Sequence, residues 1–173
     1  DDTPEVPVVG TGRAAGAIAR LLARDGRVRA VVRPVVSDAF LEPSSSPVVV
    51  CPATIEPDRV LTRALVAAGR PHLIVRAEPE RAVVGPFVVP GHFACARCVD
   101  LVRRDHDDRW PHLLAQLCRM ECTPTPALSA WASATATAQV LGWTSGGAPE
   151  TLGATLELDA ATHELTARRW PTW

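Results

Sequence analysis

The chain reads as an α/β protein with three layers, a mostly parallel sheet and a C-terminal antiparallel hairpin, and three observations predict it. A short apolar run, Glu5 to Val9, ends in the glycine turn Gly10-Thr11-Gly12-Arg13-Ala14-Ala15-Gly16, after which Ala, Ile and Leu recur at helical spacing through Leu22. Two continuous apolar runs, Pro47 to Cys51 and His72 to Arg76, have the composition of strands buried on both faces, with a helical stretch between them. Near the end, Thr155 to Asp159 and Glu164 to Arg168 alternate across a short turn, the pattern of a hairpin.

The glycine turn is where a small ligand would be expected first. Glycine lets backbone N–H groups approach a phosphate at a helix N-terminus, where the dipole favours an anion, so Gly10, Gly12 and Gly16 are candidate cofactor-binding residues. The spacing is a variant of a weak motif, and a tight strand-to-helix turn without a nucleotide is the competing reading. Gly26 ends the helix and Val28 to Val32 supplies a second strand. A dinucleotide site would place an acidic residue near that strand's end to hold ribose hydroxyls; the chain has Arg33-Pro34, which disfavours NAD. Arg33 could meet a 2′-phosphate, so an NADP-binding reductase is one alternative. Glu42 to Ser46 is a loop, and Pro57 opens a helix from Asp58 to Ala68 that Gly69 closes. The order strand, helix, strand, strand, helix, strand is Rossmann-like, with a ligand crevice at the strands' C-terminal ends.

Beyond it, two short apolar runs flank Gly85-Pro86, and Cys95 and Cys98 form the chain's C-x-x-C pair, a spacing shared by zinc sites and redox dithiols. Val99 to Arg104 and Pro111 to Met120 read as helices, separated by the charged insert Asp105 to Arg109, read as a solvated loop. Ala127 to Leu141 is a small-residue helix suited to packing against a sheet or a partner subunit.

At 173 residues, with 47% hydrophobic and 21% charged residues, one domain spanning 1–173 is expected. A formal net charge of −1 argues against nucleic acid and anionic membrane as partners, and no apolar run approaches a membrane span of ~20 residues. All 18 basic residues are Arg, so no Lys-dependent chemistry is available, and the absence of Tyr removes Tyr-x-x-x-Lys reductase catalysis. Five cysteines, an odd number in a chain too large to need disulfide staples, point to a cytoplasmic protein with thiols or metal. Cys51 ends a strand beside the expected crevice; it reads as a buried structural thiol, with a nucleophile as the rival. The start at Asp1-Asp2 suggests a fragment.

The glycine turn, the strands and helix from Val48 to Val75, the segment GPFVVPGHFACARCVDLVRRDHDDRWPHLLAQL and the later hairpin together resemble the ThiF family of ubiquitin-activating-like adenylyltransferases. More narrowly, they are similar to the ThiF-like cyclodehydratase partner, or leader-peptide-binding, proteins of thiazole/oxazole-modified peptide (bacteriocin) biosynthesis. The resemblance implies a homodimeric scaffold that presents a precursor peptide to a YcaO-type enzyme, which performs the ATP-dependent cyclodehydration. Active members use an acidic residue for ribose, Arg and Lys for the triphosphate, and an Asp for magnesium. Here Arg33 stands near the first position, no Lys exists, and Cys51-Pro52 follows the strand where the magnesium ligand would lie. An ATP-incompetent relative without catalytic residues is therefore expected, an active adenylyltransferase being the alternative. The resemblance further implies a structural zinc held by Cys95, Cys98 and a second pair beyond an Arg-Arg-Trp-Pro-like stretch. That pair, like the family's N-terminal peptide-binding segment, is not among these residues; Cys118 and Cys122 are a possible substitute, and a metal-free thiol pair the competing reading.

Overall fold

Period-two alternation sorts the central strands' side chains onto two faces: Val6, Val8, Val49, Cys51, Leu73 and Val75 enter one buried cluster, while Val9, Val48, Val50 and Ile74 enter another. The strands are β1 (Glu5–Val9), β2 (Arg29–Arg33), β3 (Val48–Val50) and β4 (His72–Glu78). The computed structural model describes residues 3–173; Asp1 and Asp2, on which the expectation of a fragment rested, lie outside the described residues.

One seven-stranded sheet runs β2-β1-β3-β4-β5-β6-β7, with β5 (Arg81–Val88), β6 (Ala154–Asp159) and β7 (Leu165–Arg169). The first four strands are parallel and β4 to β7 pair antiparallel, in agreement with the expected α/β, Rossmann-like class. Because β1 lies between β2 and β3, successive crossovers leave it in opposite directions, and a crevice opens at this switch point.

Helices cover both faces. On one side α1 (Arg13–Asp25) buries Ala14, Ala15, Ile18 and Leu22 against the sheet beside α5 (Pro126–Thr144), whose Leu128, Ala132, Ala136 and Val140 share the cluster. Gly26, at φ 80°, ends α1 by donating its N–H to the Leu22 carbonyl. Buried Ser133 and Thr137 on α5 return their hydroxyls to the carbonyls four residues back, at 2.7 Å each, so no polar group is stranded. On the other side α2 (Arg59–Ala67), capped by Asp58, contributes Leu65 to the second cluster, where Ala96 of α3 (Ala96–His106) joins it. A short helix, α4 (Trp110–Leu117), follows.

One boundary differs from the sequence reading. The residues around Gly85-Pro86 are one strand, not two runs: the register against β4 shifts between Leu73 and Val75, and the irregularity accommodates a proline that cannot donate to the ladder. Gly85 has φ 111°, and a side chain there would strike the Ala154 carbonyl of β6. The expected C-terminal antiparallel hairpin is present as β6 and β7, and β6 pairs with β5, so the hairpin extends the main sheet. Among the described residues no helix is long and apolar enough to cross a membrane.

Candidate functional site

The glycine turn is tied to its neighbours by backbone hydrogen bonds. Gly10 N–H donates to the Arg33 carbonyl at 2.9 Å and Gly12 N–H to the Cys51 carbonyl at 3.0 Å, so neither is left for a phosphate. Both positions require glycine for close approach. Gly10 has φ 121° and a side chain would strike the Cys51 carbonyl, while a Cβ on Gly12 would lie 2.5 Å from the Pro52 carbonyl oxygen and 3.1 Å from the Cys51 sulfur. Gly16 is different: it sits inside α1, and its Cβ would meet only the flexible end of Arg20, at 3.3 Å.

The N-terminus of α1 is closed as well. The Cys51 thiol lies beside it, near the Ala14 and Ala15 N–H groups, and the Ala15 N–H donates to the Gly12 carbonyl at 3.0 Å. Burial pushes that thiol up to about 12, and the two N–H groups offset this only in part. Between Gly12, Cys51, Pro124 and Leu128 remains a cavity of about 20 Å³, room for about one water molecule.

The open space lies on the α2 side of the crevice, a cleft of about 460 Å³ bounded by the ends of β1 and β3, the loop after β2, and α2. Its walls are mainly apolar, with Val9, Val36, Val50, Pro52 and Leu61 among them, and its ionisable side chains are Asp58, Cys118 and Glu121. Asp58 already accepts the Val60 N–H at 2.8 Å as the α2 cap. No arginine lines the cleft. Arg33, at the end of β2, is not in its wall and donates from Nη1 to the neighbouring Val32 carbonyl.

Cys95 and Cys98 lie at the opposite end of the sheet from the glycine turn, because β5 runs antiparallel to β4 and finishes beside its start, Val88 opposite His72. Cys95 caps α3 and Cys98 sits in its first turn, with their sulfurs 3.8 Å apart. Two thiolates about 2.3 Å from a tetrahedral zinc would stand about 3.8 Å from each other, so the pair fits one edge of such a site. Cys95 is half-buried, and burial raises its pKa, helped by the neighbouring Cys98 thiol and opposed by the Cys98 and Arg97 N–H groups. Trp170 packs on the pair with Ala94 and Val99. Cys118 and Cys122 are elsewhere: Cys118 lines the cleft and donates its thiol to the Pro57 carbonyl, and the Cys122 N–H donates to Ala53. Among the described residues no group of three or more His, Cys, Asp or Glu could hold a metal ion.

The strongest electrostatic feature escaped the sequence reading. Glu56, 4% exposed, accepts from Arg59 at 2.8 Å and Arg103 at 2.9 Å, with Arg76 at 3.4 Å. Burial alone would raise its pKa; Arg76, Arg59 and Arg103 together bring it down to about 2. Arg59 also grips Asp100 through two bonds of 2.7 and 2.9 Å, and the Trp110 indole N–H donates to the same carboxylate. Arg103 lies over the Trp110 ring at 4.6 Å and faces Trp170 at 5.6 Å. The network joins α2, β4, α3 and α4. Its local signals were the i,i+3 pairs Glu56/Arg59 and Asp100/Arg103; their mutual approach across 41 and 47 residues left none. Of the charged insert read as a loop, Asp105 and His106 belong to the last turn of α3, and only Asp107 to Arg109 form a turn, in which Asp107 holds Arg109 at 3.0 Å.

The fold is shared with solved structures of heterocyclases and of E. coli MccB. The heterocyclase TruD superposes with a TM-score of 0.65 at 17% identity over 95% of this chain and 26% of TruD. A heterocyclase in complex with substrate and cofactor gives 0.70 at 16% identity, over 98% of this chain and 24% of that one. MccB of E. coli, solved with ATP, gives 0.70 at 15% identity, covering 98% of this chain and 64% of MccB. The chain thus spans about a quarter of the heterocyclases and just under two thirds of MccB. At these identities the likeness establishes the fold. No family model matches the chain, and no curated protein sequence does.

Proposed function

We propose that the chain is a noncatalytic, ThiF-like scaffold in ribosomal peptide cyclodehydration, presenting a precursor peptide to a YcaO-type ATP-dependent enzyme. The observation that carries this reading is the state of the switch-point crevice: its glycine N–H groups are bonded to backbone, its α1 terminus is filled by Cys51, and its open cleft has no basic wall. Adenylate transfer requires neutralisation of a triphosphate, and a cleft whose ionisable side chains are two carboxylates and a thiol supplies no cation of its own; Arg13 and Arg76 line only the adjoining cavity of about 20 Å³, too small for a phosphate. The same features speak against the active adenylyltransferase and NADP alternatives. The likeness to TruD and MccB over nearly the whole chain supports the placement in peptide modification.

The reading includes a homodimer, and a structural zinc for which Cys95 and Cys98 supply one edge. Trp170 shares one buried cluster with Cys98, and Cys95 packs against it. Added to a YcaO-type enzyme and its precursor peptide, the protein is expected to raise the rate of heterocycle formation, followed by mass spectrometry as loss of water. An unchanged rate would contradict the scaffold role.

A further inference from the structure

On the outer side of the α2–α3 pair, facing away from the sheet, lies a notch of about 170 Å³. Arg63 from α2 and Arg97 and Arg104 from α3 line it, with Trp110 and Pro111 closing one side. Arg97 and Arg104 are seven residues apart, two helical turns, and so share one face of α3. All three guanidinium-bearing residues are exposed. Among the described residues Arg63 and Arg97 make no side-chain hydrogen bond or ion pair, and Arg104 makes one exposed ion pair, with Asp105 at 3.3 Å.

The floor of the notch is fixed and neutral. Asp100 is fully engaged, accepting from Arg59 Nε and Nη2 and from Trp110 Nε1, while Arg59 also donates from Nη2 to Glu56 and from Nη1 to the Pro57 carbonyl. Arg63 and Arg97, with Arg104 offset in part by its exposed ion pair with Asp105, therefore present a positive concavity on a rigid base, in a chain whose overall charge is slightly negative. Guanidinium groups pair with carboxylates in a planar, two-bond geometry, and a recess between two helices offers that geometry from both sides.

We infer that this notch binds an acidic peptide segment, with Asp or Glu carboxylates held between Arg63 on α2 and Arg97 and Arg104 on α3. The inference stands apart from the scaffold reading, since it uses none of the crevice residues and does not depend on what the bound segment later becomes.

The probe is a fluorescently labelled oligo-aspartate peptide, followed by anisotropy with the whole protein, beside an oligo-asparagine peptide of equal length. Saturable binding of the acidic probe alone is expected, weakening as salt rises from about 50 mM to about 500 mM. The double variant Arg63→Glu, Arg97→Glu is expected to weaken it by about tenfold or more, and Arg24→Glu, on α1, to leave it within about twofold. Both substitutions in the double variant are at exposed helix positions, and an unchanged melting curve will show that the fold is kept. No binding of oligo-aspartate, equal binding of oligo-asparagine, or an unaltered affinity in the double variant would overturn the inference. So would displacement by inorganic phosphate at matching concentration, which would make the notch a general anion site. Light scattering separates the remaining occupant: a salt-sensitive dimer lost in the double variant would assign the notch to a second copy of this chain instead.

Discussion

The N–H of Gly12 donates to the carbonyl of Cys51 at 3.0 Å, fastening the glycine turn to the end of the neighbouring strand. The contact makes two of the three glycines structural requirements and leaves the third replaceable. Gly12→Ala must push a methyl group into the Pro52 carbonyl, and Gly10→Ala adds a positive-φ penalty to a similar collision. Each is expected to cost about 3 kcal/mol or more. Gly16→Ala, inside α1 with room for a methyl group, is expected to raise stability by about 0.5–1 kcal/mol. Denaturant midpoints check all three, and a destabilised Gly16→Ala would mean that this glycine is held for a reason other than helix geometry.

Glu56 is the shared acceptor of Arg59, Arg76 and Arg103. Glu56→Gln keeps the size but removes the charge, leaving Arg103 without its carboxylate and Arg59 and Arg76 with Asp100 and Glu78 alone, and is expected to cost about 3 kcal/mol. Urea unfolding measures it; a loss below about 1 kcal/mol would show that the network is wet and weakly coupled.

Acid sensitivity should come from two groups with depressed pKa values. His72 is fully buried with Nε2 unpartnered, and burial lowers its pKa from 6.5 to about 4, against a smaller raising effect of the Arg70 carbonyl at Nδ1. The unfolded chain takes up that proton first, so stability is complete above about pH 6.5 and falls as pH drops towards 4, by about 3 kcal/mol. Glu56, at about 2 when folded against 4.5, adds a second loss as pH drops through 4.5 towards 2. Melting temperatures across this range in the protein and in His72→Leu separate them: the variant should lose the slope between 6.5 and 4 and keep the lower one. An unchanged upper slope would rule out His72 as its source.

Cys51 is 2% exposed with its thiol pushed up to about 12, whereas Cys95 is half-buried. Iodoacetamide near neutral pH is expected to leave Cys51 unmodified until the protein is unfolded, as peptide mass mapping will show. Early alkylation of Cys51 would restore the nucleophile reading.

How far these features could be read in advance depended on how local they are. The strand–turn–helix around Gly10, the buried run at Val48 and the alternation after Thr155 carry their periodicity in a few residues, and the structure places strands and helix there. Gly85-Pro86 read as a break because both residues interrupt strands, and only the bulge against β4 shows how one strand passes through them. The turn's glycines looked like a phosphate cradle, yet what Gly12 touches is decided by Pro52, forty residues on. The Glu56 network and the arginine notch are assembled from α2, β4, α3 and α4, and no spacing within one helix announces a contact between helices.

The scaffold reading is tested most directly by titrating the protein with Mg²⁺-ATP in a calorimeter, with pyrophosphate exchange measured alongside in the presence of precursor peptide. With a cleft free of arginine and a closed α1 terminus, no saturable heat at micromolar nucleotide and no exchange above background are expected. Saturable micromolar binding that requires Mg²⁺, or peptide-dependent exchange, would contradict it and identify an adenylyltransferase that neutralises its triphosphate without lysine.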